Sequence, residues 1–175
     1  MKYLFYILFF ISLPVFSQEV EGISWDEAKI SDKITLTISK AEFDKRYKKA
    51  DSITDPTDKE TCGREEEATV KMVHYKGAKF ELDNGIMNFR SMDFTKNRNT
   101  WFSIKDNWFD HTTTLKSFSK DFPASASFVE DVTDRDGDVL EMITILPKGT
   151  TEDFEWRFYF RDGKLVFLEC WFPCD

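Results

Sequence analysis

The chain has 175 residues, a formal net charge of −8 and 28 aromatic side chains, 18 of them Phe. So acidic a chain is a poor nucleic-acid binder, because neutralising phosphates needs clustered Lys and Arg. Its two histidines and three cysteines leave little material for Ser-His-Asp, Cys-His or multi-His metal chemistry.

Lys2 precedes an apolar run from Tyr3 to Phe16, broken only by Ser12 and Pro14. Val15 and Ser17 suit the −3 and −1 positions of a signal-peptidase site, so residues 1–17 read as a secretory signal peptide. The run is shorter than the roughly 20 apolar residues of a spanning helix, so no membrane insertion is expected. No cysteine adjoins the cleavage site, which argues against a lipoprotein. The expected exported chain, 18–175, has 158 residues, a net charge of −9 and the size of a single domain in the periplasm or outside the cell.

Residues 18–32 are acidic and weakly patterned, and read as a lead-in or a short first element holding Trp25. Residues 34–38 alternate as a short strand. Ser39 and Glu42 then fit a capping box for a helix to about residue 50 that buries Phe43 and Tyr47, with Ile38 as the staple. Residues 51–67 read as a long polar loop. Strands follow at 69–75, 79–83, 86–94 and 100–104, with a turn at Gly77. Asn84-Gly85 is a hairpin signal whose two-residue register pairs Leu82 with Met87 and Phe80 with Phe89. A second helix, capped by Thr112, Thr113 or Thr114, carries Leu115, Phe118 and Phe122 on one face and stops at Pro123. Four more strands are expected at about 126–132, 139–146, 154–160 and 164–172.

The last two strands form the most apolar hairpin of the exported chain. With a plain two-residue turn at Asp162-Gly163, Trp156 would face Glu169. A bulged turn with Gly163 left-handed instead pairs Phe160 with Lys164, Phe158 with Val166, Trp156 with Leu168 and Phe154 with Cys170, which makes one face apolar. Burial therefore favours the bulged turn, leaving Arg157, Tyr159, Phe167 and Trp171 on the opposite face.

The fold class is α+β: antiparallel sheet with two short helices. The order helix, four strands, helix, four strands points to a tandem α-β-β-β-β duplication with halves 33–105 and 112–175. The Thr-capped helix, the Phe122-Pro123 stop and the closing hairpin 158–166 resemble the repeat unit of β-lactamase-inhibitor-protein-like and outer-membrane-lipoprotein small-assembly-protein-like domains. That resemblance implies a helix packed on a four-stranded antiparallel sheet. It also implies an aromatic-rich surface, formed by tandem copies, that grips a partner protein. The chain departs from the pattern in its cysteine positions, its 51–67 loop and its lack of a lipobox.

Cys62, Cys170 and Cys174 in an oxidising compartment imply one disulfide. Cys62–Cys174 is the expected pair, with Cys170 a small buried hydrophobe on the apolar strand face; Cys62–Cys170 is the alternative. Asp110-His111-Thr112-Thr113 brings acid, base and hydroxyls to a helix start, where capping explains them. His74 reads as a structural residue of a strand face. Asp134, Asp136 and Asp138 around Gly137 suggest calcium, but an EF-hand register would put Val132 at position one and Ile143 at position twelve. No metal or cofactor is expected.

Of the 28 aromatics, 22 belong to the exported chain, more than one core takes easily. The surplus points to a binding surface, with Trp101, Trp108, Phe109, Arg157, Tyr159 and Trp171 as candidate residues. The expected function is a non-enzymatic binding module, protein-binding through an aromatic sheet face. The alternatives are a hydrolase of extracellular polymers using a carboxylate pair and a structural envelope component.

Overall fold

The computed structural model describes residues 21–47, 49–58, 60–61, 69–134, 136–151 and 153–174. The expected signal peptide, and with it the expectation of export, lies outside these residues. So does Cys62, and with it both expected disulfide pairings.

The strands are β1 (Ile23–Ser24), β2 (Ala28–Ile30), β3 (Ile34–Thr35), β4 (Thr37–Ser39), β5 (Ser52–Thr54), β6 (Lys71–Tyr75), β7 (Ala78–Asp83), β8 (Ile86–Asp93), β9 (Phe102–Ile104), β10 (Asn107–Phe109), β11 (Glu130–Thr133), β12 (Val139–Ile145), β13 (Pro147–Lys148), β14 (Glu155–Arg161) and β15 (Lys164–Trp171). Helix α1 spans Lys40–Tyr47 and α2 spans Leu115–Asp121. The architecture is α+β and almost wholly antiparallel. A nine-stranded sheet runs β11-β12-β14-β15-β8-β7-β6-β5, with β4 also paired to β8. A four-stranded sheet runs β10-β9-β2-β3, and β1 pairs in parallel with β13.

The large sheet consists of two meanders, β5 to β8 and β11-β12-β14-β15, joined through their last strands. Residues 91–93 of β8 pair with 167–169 of β15. A helix precedes each meander in the chain. The first meander differs from expectation at both ends. Its opening strand is β5, inside the stretch read as a loop. The strand near 100–104 is β9, which belongs to the smaller sheet. The lead-in supplies β1 and β2.

Local chemistry explains the helix starts. The Ser39 hydroxyl accepts from the Glu42 amide at 3.2 Å, while the Glu42 carboxylate pairs with Arg46 rather than reaching back. Thr114 caps α2 in a reciprocal box with Ser117. Asp110 accepts from the Thr112 amide and hydroxyl, which closes a turn ahead of the helix rather than capping its first turn.

The Asn84-Gly85 turn has the expected register, Leu82 opposite Met87 and Phe80 opposite Phe89. The C-terminal hairpin does not. Asp162 and Gly163 both adopt positive φ, 51° and 69°, so the two-residue turn forms and Arg161 faces Lys164. A bulge further along, where Val166 and Phe167 together oppose Tyr159, then restores the burial pattern. Phe160 faces Leu165, Phe158 faces Leu168 and Trp156 faces Cys170. The apolar face is thus rescued by a bulge in the strand rather than in the turn, and Leu165 takes the buried place expected of Val166.

One face of the large sheet carries the core, which is a continuous run of rings. Phe43 of α1 packs on Tyr75 and Phe80 at centroid distances of 5.0 and 6.2 Å. Phe80 meets Phe89, Phe89 stacks on Phe102, and Phe102 of the small sheet meets Trp156 and Phe158. Phe118 of α2 packs on Phe158 at 4.7 Å and Phe160 at 5.4 Å. The Trp156 indole donates to the Ile23 carbonyl at 3.1 Å, which satisfies a buried polar group. Thirteen aromatic side chains are buried this way, so a single core absorbs most of the aromatic surplus that the composition had assigned to a binding surface.

Candidate functional site

Both helices and the small sheet cover one face of the large sheet, so its other face decides what the protein can present. At the β5–β7 end this outer face is partly occupied. Glu60 pairs with Lys79, and Val70 and Met72 are buried. The open part is the strip β12-β14-β15-β8. It holds a groove of about 700 Å³ lined by residues that include Val132, Asp134, Leu140, Met142, Tyr159 and Phe167.

The floor is apolar because β12 is apolar at both strand parities. Ile143 and Ile145 point into the core, while Leu140 and Met142 are buried at 8 % and 6 % exposure on the outer side. The β15 bulge adds Val166 and Phe167 to the same side, and the Tyr159 ring lies 5.8 Å from that of Phe167.

Charged groups frame this floor in fixed pairs. The Tyr159 hydroxyl donates to Glu169 Oε1 at 2.6 Å. Burial, reinforced by the Glu169 carboxylate, pushes the Tyr159 phenol far above its ordinary pKa, so it remains a neutral donor. Arg157 binds Glu155 through Nε and Nη2 at 3.0 and 2.8 Å, and its guanidinium lies 3.8 Å from the Trp171 ring centre. Such a cation–π contact contributes roughly 0.5–2 kcal/mol. At the far rim Arg161 binds Asp134 at 2.8 Å and Asp138 at 3.1 Å. Burial works to raise the Asp134 carboxyl, but the Asp138 and Asp136 amides and Arg161 outweigh it and hold it below the usual carboxylate range. Of the aspartates considered for calcium, Asp134 closes its own turn and Asp138 is paired with Arg161.

The six expected binding residues fall on different surfaces. Arg157, Tyr159 and Trp171 do share the outer face. Trp108 is exposed on β10 of the small sheet, and Trp101 is half-buried with its indole donating to Asp32. Phe109 is a correction: at 1 % exposure it belongs to the core, against Phe118 and Phe158, because β10 turns it toward α2. The sequence reading missed Leu140, Met142, Val166 and Arg161 as groove residues. The signal for Leu140 and Met142 was the two-sided apolarity of Val139–Ile145.

Neither histidine lines the groove. His74 lies on β6, its Nε2 3.1 Å from Thr54 Oγ1, and burial together with Lys79 and Lys96 holds it below its usual pKa. His111 belongs to the lead-in to α2. Of the groove's acids, Glu169 is taken by Tyr159, Asp134 by Arg161, and Asp93 by the amide and hydroxyl of Thr95, while Asp136 is exposed at the rim. Among the described residues no helix is long and apolar enough to cross a membrane. No family model, curated protein or solved structure matches the chain.

Proposed function

We propose that this chain is an exported, non-enzymatic module that binds a partner protein through the open strip of its large sheet. The observation that carries the reading is the groove itself: an apolar floor lined by Tyr159 and Arg157, with Trp171 stacked against Arg157 beside it, residue types that dominate binding energy at protein interfaces. These side chains stand on strands and are held by one another, so little rotamer freedom is lost on binding. The prior engagement of Glu169, Asp134 and Asp93 favours recognition over carboxylate hydrolysis.

Two further parts of the reading stand on the chain as a whole. Residues 1–17 direct it out of the cytoplasm, where Cys62 and Cys174 form a disulfide. Two four-stranded meanders, each preceded by a helix and joined through β8 and β15, support an internal duplication and the kinship with tandem α-β-β-β-β inhibitor-like domains.

The test is affinity capture. Purified protein and its Arg157→Ala and Trp171→Ala variants are immobilised and exposed to envelope and culture-fluid extracts. Any retained protein is identified and its direct binding measured by calorimetry. A partner retained by the parent and weakened at least tenfold by either variant supports the reading. Nothing retained at any salt concentration, or a partner indifferent to both variants, overturns it.

A further inference from the structure

Among the described residues, no strand pairs with the outer side of the sheet edge beside the groove. β11 is the terminal strand and has one neighbour, β12. The Asp134 amide donates to the Asp138 carbonyl at 2.9 Å, which sets the phase of the β11–β12 ladder. In an antiparallel ladder hydrogen-bonded and non-hydrogen-bonded pairs alternate. The main-chain groups of Val132 and Glu130 therefore point at β12, and those of Asp131 and Thr133 point away from the sheet.

The surroundings of this edge are unusual for the molecule. Seven large apolar side chains are exposed among the described residues. Four of them, Phe128, Val129, Val139 and Leu146, lie on or beside the β11–β12 hairpin, whereas the opposite edge strand β5 carries one, Ile53. Phe128 is 78 % exposed. The charged side chains of β11 itself are both acidic. Glu130 and Asp131 are exposed, and Asp131 stands directly opposite Glu141 across the ladder. Like charges in that position repel, and among the described residues no Lys or Arg forms an ion pair with either. A second copy of the chain pairing here would bring Glu130 and Asp131 against an equally acidic edge. A basic strand would relieve the repulsion.

We propose that β11 accepts an extended segment of the partner as an additional strand of the sheet, one in which lysine or arginine alternates with apolar residues. Its basic side chains lie on the side of Asp131 and Glu141, and its apolar ones beside Val132 at the groove rim. This rests on the partner-binding reading above, since Val132 and Thr133 also line the groove, and it names the partner's chemistry. Main-chain hydrogen bonds to Asp131 and Thr133 supply affinity, and the alternation supplies specificity.

The experiment titrates the purified protein with three ten-residue peptides: alternating Val and Lys, alternating Val and Glu, and a Lys-matched peptide interrupted by proline. Calorimetry gives affinity, and amide exchange by NMR reads Asp131 and Thr133. Expected are binding of the Val-Lys peptide alone and at least tenfold slower exchange at both amides. Asp131→Lys should weaken binding by about tenfold or more, as should Thr133→Pro, which removes one outward donor. Circular dichroism confirms that each variant is folded. Equal binding of the proline-interrupted peptide, or binding without slowed exchange at Asp131 and Thr133, overturns the inference. If the capture experiment yields a partner sensitive to Trp171→Ala while the Val-Lys peptide does not bind, the edge inference fails and the groove reading stands. If capture and peptide both fail, both fall.

Discussion

Deleting Val166 tests whether the bulge serves the core or the groove. Without Val166, Phe167 follows Leu165 directly and the ladder becomes regular. Phe160 still faces Leu165, Tyr159 faces Phe167, Phe158 faces Leu168 and Trp156 faces Cys170. The core face survives intact. What is lost is the half-buried Val166 side chain and the hydrogen bond from the Phe94 amide to the Val166 carbonyl, 3.0 Å long. The bond contributes about 1 kcal/mol, and half-burial of a valine about another 1 kcal/mol. Destabilisation of about 2 kcal/mol corresponds to a fall in Tm of roughly 4–8 °C for a domain of this size. The opposite perturbation, one alanine inserted between Phe167 and Leu168, swings Leu168 and Cys170 outward and brings Glu169 opposite Trp156. Reburying an unpaired carboxylate and exposing a fully buried leucine costs well above 4 kcal/mol. Differential scanning calorimetry compares the two. The reasoning is refuted if the deletion abolishes the cooperative transition or if the insertion leaves Tm within a few degrees of the parent. A deletion variant that folds but no longer holds the captured partner would assign the bulge to the groove.

Other outcomes follow from single side chains. The Tyr159 phenol is raised in the folded state by burial and by Glu169. Its contribution is therefore fully present below the unfolded tyrosine pKa, about 10, and is lost as pH rises above it. Tyr159→Phe should flatten the alkaline decline of stability measured by urea unfolding between pH 9 and 11, and an unchanged slope would count against the buried Tyr159–Glu169 pair. Gly77 and Gly85 both have positive φ, yet a Cβ on Gly77 would sit 2.5 Å from the Asp93 carbonyl oxygen while one on Gly85 meets nothing within 4 Å. Gly85→Ala should cost about 1 kcal/mol of left-handed strain, and Gly77→Ala measurably more; equal losses in chemical denaturation would remove the role of the close approach. Non-reducing peptide mapping of the protein should join Cys62 to Cys174, since Cys170 is 5 % exposed on the core face opposite Trp156. A bridge containing Cys170 would show that pairing wrong.

Features governed by neighbours in sequence were legible. The Asn84-Gly85 register, the α2 face of Leu115, Phe118 and Phe122, the Thr114 cap and the alternation of β14 all depend on side chains and dihedrals a few residues apart. Hence β12, β14 and β15 fall close to their expected bounds, whereas β11 begins only at Glu130, after a 3-10 turn at Ser125–Ser127. The site was legible only in part. Arg157, Tyr159 and Trp171 followed from the parity of β14 and β15, but the groove floor did not, because β12 is apolar on both faces and parity alone cannot say which face stays open.

Read alone, the sequence settles the α+β class, the two helices, the Asn84-Gly85 turn and the alternating apolar face of β14, since short-range sterics and hydrogen bonding decide these. Only the tertiary structure decided that β9 joins a second sheet and that Phe109 goes inward while Trp108 stays out. It also decided that the bulge lies at Val166 rather than in the turn. In each case several local arrangements bury similar apolar area, and the choice falls to whichever lets α1, α2 and the small sheet close over the same face. Once that face is closed, the groove and the β11 edge are what remain.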